Sequence, residues 1–177
     1  MDKLNEDFTK LYKRWKDGSI RKEDKIDNAA VSKFIYDYDD VDEDKVTIHE
    51  TCVDYDGDIS ISNTKDLTFK FGKVSGCFDV SYINLKDLEF MPKYVGGDFK
   101  ISSNELKSFK GCPEEVGGNF TAVDSRELES LEGLPKHIGG NLLITAPNST
   151  VKFTEDDIPE GTVIDGEIRF SLRRKNR

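Results

Sequence analysis

A repeat of 21 or 22 residues in the middle of the chain restricts the fold more than any other feature. The segments VGGDF, VGGNF and IGGNL begin at residues 95, 116 and 138, so successive copies start 21 and 22 residues apart. A fixed period of this size is typical of a solenoid, in which each copy forms one turn. Weaker copies around Gly57, Gly76 and Gly166 extend the pattern in both directions, and together they predict six rungs.

Each copy also contains two apolar residues separated by one polar residue. An alternation with period two predicts a strand with one buried face, and equivalent strands one rung apart would stack in parallel about 4.8 Å from each other. We therefore expect parallel strands at 57–61, 76–80, 97–101, 118–122 and 140–144. The apolar pairs are Ile59/Ile61, Phe78/Val80, Phe99/Ile101, Phe120/Ala122, Leu142/Ile144 and Ile168/Phe170.

The remainder of each copy supplies the other side of the coil. Two further apolar positions and an inward-pointing Val or Ile would fill the interior, and a proline would turn the chain without needing a backbone donor. The Gly-Gly pair would provide either a positive φ or a close backbone approach. These positions are Leu85, Leu106, Leu128, Leu88, Phe109, Leu131, Pro92, Pro113, Pro135, Val95, Val116 and Ile138.

The segment FKISSNELKSF, residues 99–109, resembles the core of leucine-rich repeats, with Phe and Ile replacing some leucines. The segment LEGLPKHIGGNLLI, residues 131–144, resembles the short proline-bearing repeats of bacterial effector proteins. The closest likeness is to phage-encoded repeat proteins with units of the form L-x-S-L-x-G-x-P-x-x-V-G-G-x-F, over residues 54–170. The resemblance implies a solenoid architecture, and it implies little about activity because such repeats serve many partners.

The resemblance also implies a ladder of inward-turned asparagines that satisfy backbone groups. Asn104 fits this role, but Ile83 occupies the equivalent place one rung earlier, with Asn84 beside it. Ser125 and Asn148 match only approximately in the later rungs. We therefore expect a broken ladder and irregular rungs.

The predicted fold class is α+β, a short parallel β-solenoid with an N-terminal helical cap. Helical spacing of Leu4, Phe8, Leu11 and Trp15, and a second apolar pattern over 28–38 capped by Asp27 or Asn28, predict two helices that cap the first rung. A partner bound to the face of Trp15 is the alternative. The predicted boundaries are a cap and acidic linker at 1–45, a solenoid at 46–172 beginning with a strand at 46–53, and a basic tail at 173–177.

Net charge and cysteine usage restrict the function classes. The chain carries a formal charge of −9 and has a pI near 4.8, which argues against binding nucleic-acid phosphates directly. Three cysteines without a C-x-x-C pair favour a reducing cytoplasm, and neither a secretory signal nor an apolar run long enough for a membrane span is recognisable. We expect a cytoplasmic protein, in the host cytoplasm if the chain is phage-encoded.

No catalytic or metal-binding pattern emerges from the sequence. The two histidines, His49 and His137, belong to different repeats, so no nucleophilic triad can be argued. The segment DYDGD at 54–58 differs from a calcium loop because its glycine comes too early and position 65 is Lys65 rather than Glu. No phosphate-binding glycine loop is present. We therefore predict no enzyme activity and no cofactor.

The residues between the buried strand positions should project from the sheet and form columns across the rungs. A plain solvated sheet face is one interpretation of these columns, and a contact surface for a protein partner is the other. The predicted partner-binding residues are Asp58, Asp79, Asp98, Lys100, Asn119, Thr121, Asn141 and Glu167, together with Trp15 on the N-terminal helix.

These features predict a non-catalytic protein-binding module, encoded by a phage or mobile element, that binds and inhibits a host protein such as a defence or nucleic-acid enzyme. A basic surface on that partner would complement two acidic regions. One is the segment DYDDVDED at 37–44, and the other is the edge of the sheet that carries Asp58, Asp98 and Glu167. A virion or scaffold component is the alternative function, and an acidic mimic of nucleic acid is a further one.

Overall fold

The computed structural model describes residues 26–38, 41–63, 67–147 and 152–170. This part of the chain contains one α-helix, α1 (Asn28–Asp37), and 3-10 helices at Glu43–Lys45 and Glu155–Asp157. The remaining regular structure consists of short strands. They are β1 (Val46–Ile48), β2 (Val53–Tyr55), β3 (Ile59–Ser60), β4 (Phe71–Val74), β5 (Phe78–Asp79), β6 (Tyr94–Val95), β7 (Phe99–Lys100), β8 (Glu115–Val116), β9 (Phe120–Ala122), β10 (His137–Ile138), β11 (Leu142–Ile144), β12 (Val163–Ile164) and β13 (Ile168–Phe170).

The strands form a mostly parallel β-solenoid of about four turns. A first sheet has the strand order β1-β2-β4-β6-β8-β10-β12, and a second sheet has the order β13-β11-β9-β7-β5-β3. Each central turn contributes one strand to each sheet, further strands extend both sheets at their ends, and all pairs are parallel except β1 with β2. The predicted parallel stacking of the strands at 57–61 through 140–144 is therefore confirmed in the second sheet.

The register of the second sheet places equivalent repeat positions side by side. Phe78 pairs with Phe99, Phe99 with Phe120, and Phe120 with Leu142. All four side chains have no exposed surface, and neighbouring rings lie 5.6–6.2 Å apart between centroids. The predicted buried column is confirmed, and the Leu and Phe positions predicted for the far side of the coil are buried as well.

The first sheet was not predicted as a sheet. The sequence predicts that Val95, Val116 and Ile138 point inward, and all three are buried. They also belong to the two-residue strands β6, β8 and β10, which pair from turn to turn. A two-residue strand is too short to show an alternating pattern, so only its recurrence at the repeat spacing could have revealed it.

The Gly-Gly pairs connect the two sheets and lie where successive turns approach most closely. Gly96 and Gly117 both lack a positive φ. A Cβ atom at Gly117 would overlap the carbonyl oxygen of Gly96, and one at Gly96 would overlap that of Ser75. Of the two reasons considered for these glycines, close backbone approach is therefore the correct one.

Asn104 turns inward and serves four backbone groups. Its Oδ1 accepts hydrogen bonds from the backbone N–H groups of Ile83 and Leu85, at 3.3 and 3.0 Å. Its Nδ2 donates to the carbonyl oxygens of Val80 and Ile101, at 2.8 and 3.1 Å. Ser125 takes the equivalent place one turn later, where its hydroxyl donates to the carbonyl of Ala122 at 3.1 Å. Asn148 lies outside the described residues.

The chain enters the solenoid differently from the prediction. Residues 46–53 were expected to form one strand, but β1 ends at Ile48 and pairs antiparallel with β2. The backbone N–H of His49 donates to the carbonyl of Cys52 at 2.9 Å and closes a turn between them. The polar segment His-Glu-Thr-Cys thus forms a hairpin loop, and the single-strand prediction was wrong.

Helix α1 packs against the apolar interior beside β4. Asp27 is its N-cap and accepts a hydrogen bond from the N–H of Ala29 at 2.9 Å, as one of the two predicted caps would. Phe34 contacts the rings of Phe69 and Phe71 with centroids 5.4 and 5.9 Å apart. The predicted first helix with Trp15, part of the acidic linker and the basic tail lie outside the described residues.

Candidate functional site

The outward-facing middle column of the second sheet brings several predicted site residues together. Asp79, Lys100 and Thr121 occupy directly paired positions on β5, β7 and β9. Leu143 and Arg169 continue the same column on β11 and β13. These side chains are half-buried or exposed, so the sheet presents a mixed surface that carries both charges, a hydroxyl and one aliphatic group.

A second predicted column has a structural role that the sequence analysis did not assign. One turn's side chain accepts a hydrogen bond from the backbone N–H of the equivalent residue in the next turn. Asp58 accepts from Cys77 at 2.6 Å, the Cys77 sulfur from Asp98 at 3.4 Å, Asp98 from Asn119 at 2.8 Å, Asn119 from Asn141 at 2.8 Å, and Asn141 from Glu167 at 2.7 Å. We call this set the side-chain ladder.

The ladder uses backbone donors at the corner between the two sheets, where no strand pairing is available. Five of the predicted partner-binding residues, Asp58, Asp98, Asn119, Asn141 and Glu167, therefore belong to it. Glu167 is its last member, and its carboxylate accepts a hydrogen bond from the Arg169 Nε at 2.9 Å. Trp15, also predicted to bind the partner, lies outside the described residues.

We expect Asp98→Ala to lower the free energy of unfolding by about 2 kcal/mol, because Asp98 Oδ1 accepts from both the backbone N–H and the Nδ2 of Asn119. Asp98→Asn is the matched control, since Asn119 and Asn141 perform the same role elsewhere in the ladder. Its free energy of unfolding should lie within about 0.5 kcal/mol of the wild-type value. Equilibrium urea unfolding measures both variants, and equal losses for the two would show that the charge matters rather than the acceptor.

A groove follows the end of the second sheet and was not predicted. It has a volume of about 860 Å³, and Tyr82 at its edge is 75% exposed. Ser103 and Asp124 occupy the positions equivalent to Tyr82 in the next two turns. The charged residues that line it are Lys86, Lys107, Lys110, Arg126, Asp87, Glu105, Asp124 and Glu127.

The backbone along this groove adopts an uncommon conformation. Tyr82, Ser103 and Asp124 have φ values of 63°, 55° and 59°, in the left-handed region that non-glycine residues seldom occupy. Hydrogen bonds to the next turn hold these residues there, since the N–H of Tyr82 donates to the carbonyl of Ser102 at 2.9 Å and that of Ser103 to Val123 at 2.7 Å. Such conformations cluster at binding sites, and here one of them accompanies the exposed ring of Tyr82.

Exposed ion pairs connect successive turns on the surface of the solenoid, and one of them involves Lys107 of this groove. Lys107 contacts Glu129 at 2.9 Å, and Lys136 contacts Glu114 at 2.7 Å. The hydrogen bond and charge of Glu129 raise the pKa of Lys107, and those of Lys136 lower the pKa of Glu114. Because all four side chains are solvent-exposed, these pairs contribute little to stability and leave the surface charges available to a partner.

A second groove, of about 810 Å³, contains two of the three free cysteines, Cys52 and Cys112. Burial raises the pKa of the Cys112 thiol well above its ordinary value. Burial and the neighbouring Asp54 raise the pKa of Cys52. Because the thiolate is the reactive form, both thiols are poor nucleophiles at neutral pH.

Within residues 26–38, 41–63, 67–147 and 152–170, the structure contains neither a cluster of metal-ligating side chains nor a helix that could span a membrane. Among these residues, no group of three or more His, Cys, Asp or Glu side chains is arranged to hold a metal ion. Each histidine instead pairs with one carboxylate, His49 with Asp54 at 2.8 Å and His137 with Asp165 at 2.9 Å. Helix α1, at ten residues, is too short to cross a bilayer, and the same described segments contain no other helix that could.

Comparison with known proteins yields no relative. No protein-family model, no curated protein and no solved structure matches the chain.

Proposed function

We propose that the protein is a non-catalytic protein-binding module whose contact surface comprises the middle column of the second sheet and the groove beside Tyr82. The exposed Tyr82 ring is the single observation that carries the proposal. A large aromatic side chain that protrudes from a repeat surface leaves apolar area in water, and a protein partner would bury it.

The composition of the surface supports this role. Tyr and Arg are enriched among the residues that dominate binding energy at interfaces, and Tyr82 and Arg126 line the same groove. The neighbouring ladder and strand pairing hold the backbone rigid, so that little conformational entropy is lost when a partner binds. Apart from Arg169, which donates to the Glu167 carboxylate, the side chains of the middle column take no part in the ladder and can contact a partner without loss of that support.

We further propose that the partner is a host protein with a basic surface, that the chain is encoded by a phage or mobile element, and that binding inhibits the partner in the cytoplasm. The net charge of −9 favours association with a basic surface. The repeat units that resemble phage-encoded proteins support the origin. A defence enzyme or an enzyme that acts on nucleic acid is the class of partner we favour.

We also propose the repeat type, the number of rungs and the N-terminal cap of the solenoid. We infer that the solenoid is of the leucine-rich-repeat type, which the four hydrogen bonds of Asn104 support. We also infer that β2/β3 and β12/β13 represent degenerate terminal rungs, which gives six in total. Residues 1–45 would cap the first rung, and the contacts of Phe34 with Phe69 and Phe71 support that role.

Capture from a host lysate with the purified protein, followed by mass spectrometry, identifies the partner. We expect Tyr82→Asn to weaken its binding roughly 30-fold, the effect of removing an interface hot spot. Asn tolerates a positive φ, so this variant removes the ring without straining the backbone. Arg126→Ala should weaken binding as well, whereas the matched control Lys93→Ala, which removes a cation from the other groove, should not.

Two results would contradict the proposal. Unchanged affinity of the Tyr82→Asn and Arg126→Ala variants would exclude the groove as the contact surface. Saturable turnover of a nucleotide or nucleic acid by the purified protein would show that the protein is an enzyme.

A further inference from the structure

Strand β13 forms one edge of the second sheet, and within the described segments only β11 pairs with it. The apolar residues at this end of the solenoid are incompletely covered. Ile164, Ile168 and Phe170 are half-buried, and Val163 on the neighbouring edge strand β12 is 55% exposed. At the opposite edge, Ile59 and Ile61 are 3% and 2% exposed. Within residues 26–38, 41–63, 67–147 and 152–170, the C-terminal end of the solenoid is therefore the end whose apolar residues are less well covered.

The backbone of β13 offers free N–H and C=O groups at alternate residues, Ile168 and Phe170. The N–H of Leu142 donates to the carbonyl of Glu167 at 2.9 Å, so the backbone groups of Glu167 point toward β11. Alternate residues of a strand direct their N–H and C=O groups to opposite sides. Ile168, which is paired in register with Leu142, thus directs both groups toward the free edge.

A residue with both groups at a free edge can pair with its own copy. In an antiparallel pair related by a two-fold axis through Ile168, each Ile168 would donate to and accept from the other, which forms a closely spaced hydrogen-bonded pair. This register places Glu167 of one copy directly opposite Arg169 of the other, and Arg169 opposite Glu167. The two charges lie on the same face of β13 and already contact each other within one chain.

We propose that two copies of the chain associate through β13 in this antiparallel register. The second sheet then continues from one copy into the other as a single twelve-stranded sheet, given six strands in each copy. Four charges, two from each copy, alternate in sign across the junction. Moving the two-fold axis to Glu167 or to Arg169 would place like charges opposite each other, and a slip of one residue would set the inward face of β13 against the outward face. The half-buried side chain of Ile168 is covered by its counterpart, and Phe170 lies opposite Gly166 of the other copy.

Sedimentation equilibrium of the purified protein over a range of concentrations tests the proposal, with no other protein present. We expect a reversible dimer for the wild type. Glu167→Arg places like charges opposite each other, as does Arg169→Glu, and each should weaken dimerisation roughly tenfold. The double variant Glu167→Arg/Arg169→Glu restores opposite charges and should dimerise as the wild type does.

This rescue distinguishes β13 pairing from any other association. A monomer at every concentration would overturn the proposal, and so would a dimer that neither single variant weakens. A double variant weaker than both single variants would also overturn it. Amide hydrogen exchange provides a second measurement: the Ile168 amide should exchange more slowly as the protein concentration rises, while that of Leu143, inside the sheet, should not change. Constant exchange at Ile168 would contradict the pairing.

Discussion

We expect Phe99→Ala to lower the free energy of unfolding by about 3–5 kcal/mol, the range for removing an aromatic side chain from a core. Phe99 has no exposed surface and lies between the rings of Phe78 and Phe120 in the buried column. The backbone around it is fixed by pairing on both sides, so the cavity cannot close by collapse. Equilibrium unfolding in urea measures the loss, and Phe120→Ala should behave similarly.

Phe90→Ala is the matched control for this change. Its side chain is only half-buried at the margin of the same core, and its backbone carbonyl, which accepts from Phe71 at 3.2 Å, remains in the variant. We expect Phe90→Ala to cost less than half as much as Phe99→Ala. Equal losses would show that the column is no more tightly packed than the margin.

The sequence predicted the second sheet well because its physical signal is local and repeated. Phe99 and Ile101 enclose one polar residue, and the same pattern recurs 21 residues later at Phe120 and Ala122. Period two determines which side chains are buried, and the constant spacing determines which residues become neighbours. Register, parallel direction and core membership therefore follow together, and the structure agrees on all three.

The first sheet and the hairpin could not be predicted in the same way. The strand Tyr94–Val95 has only two residues, and pairing with the adjacent turns, not any local preference, makes it a strand. The segment from Val46 to Val53 has the apolar content of one strand, but the hydrogen bond between His49 and Cys52 folds it back. In both cases hydrogen bonds to other parts of the fold, and not the local sequence pattern, determine the secondary structure.

The candidate site was predicted in part. The sequence placed Asp79, Lys100 and Thr121 on one surface, and the structure brings them together. It also singled out Asp98 and Asn119 for a partner, without indicating that their oxygens accept from the next turn's backbone. That role depends on the corner geometry at the glycine pairs. The left-handed backbone of Tyr82 depends on hydrogen bonds between turns, and a single rung gives no sign of it.

The second large effect on stability is expected at the repeat position where Asn104 and Ser125 turn inward. We expect Asn104→Ala to lower the free energy of unfolding by about 3 kcal/mol or more, because each buried backbone group that loses its partner costs about 1–3 kcal/mol and Asn104 serves four. Ser125→Ala removes one hydrogen bond from the same position one turn later, so it should cost about 1 kcal/mol.

The comparison between these two variants is informative because position, burial and the substituted residue are matched, and the main difference is how many backbone groups lose a partner. Asn104 is 5% exposed and Ser125 is 2% exposed, so burial alone predicts nearly equal losses. Removal of more side-chain atoms at Asn104 adds little, since its amide makes hydrogen bonds rather than apolar contacts. If the two losses in urea unfolding are equal, hydrogen bonding by the inward-turned residue does not stabilise the turns. If Asn104→Ala costs several times more, the inward-turned residues stabilise the solenoid mainly at the turn that contains Asn104.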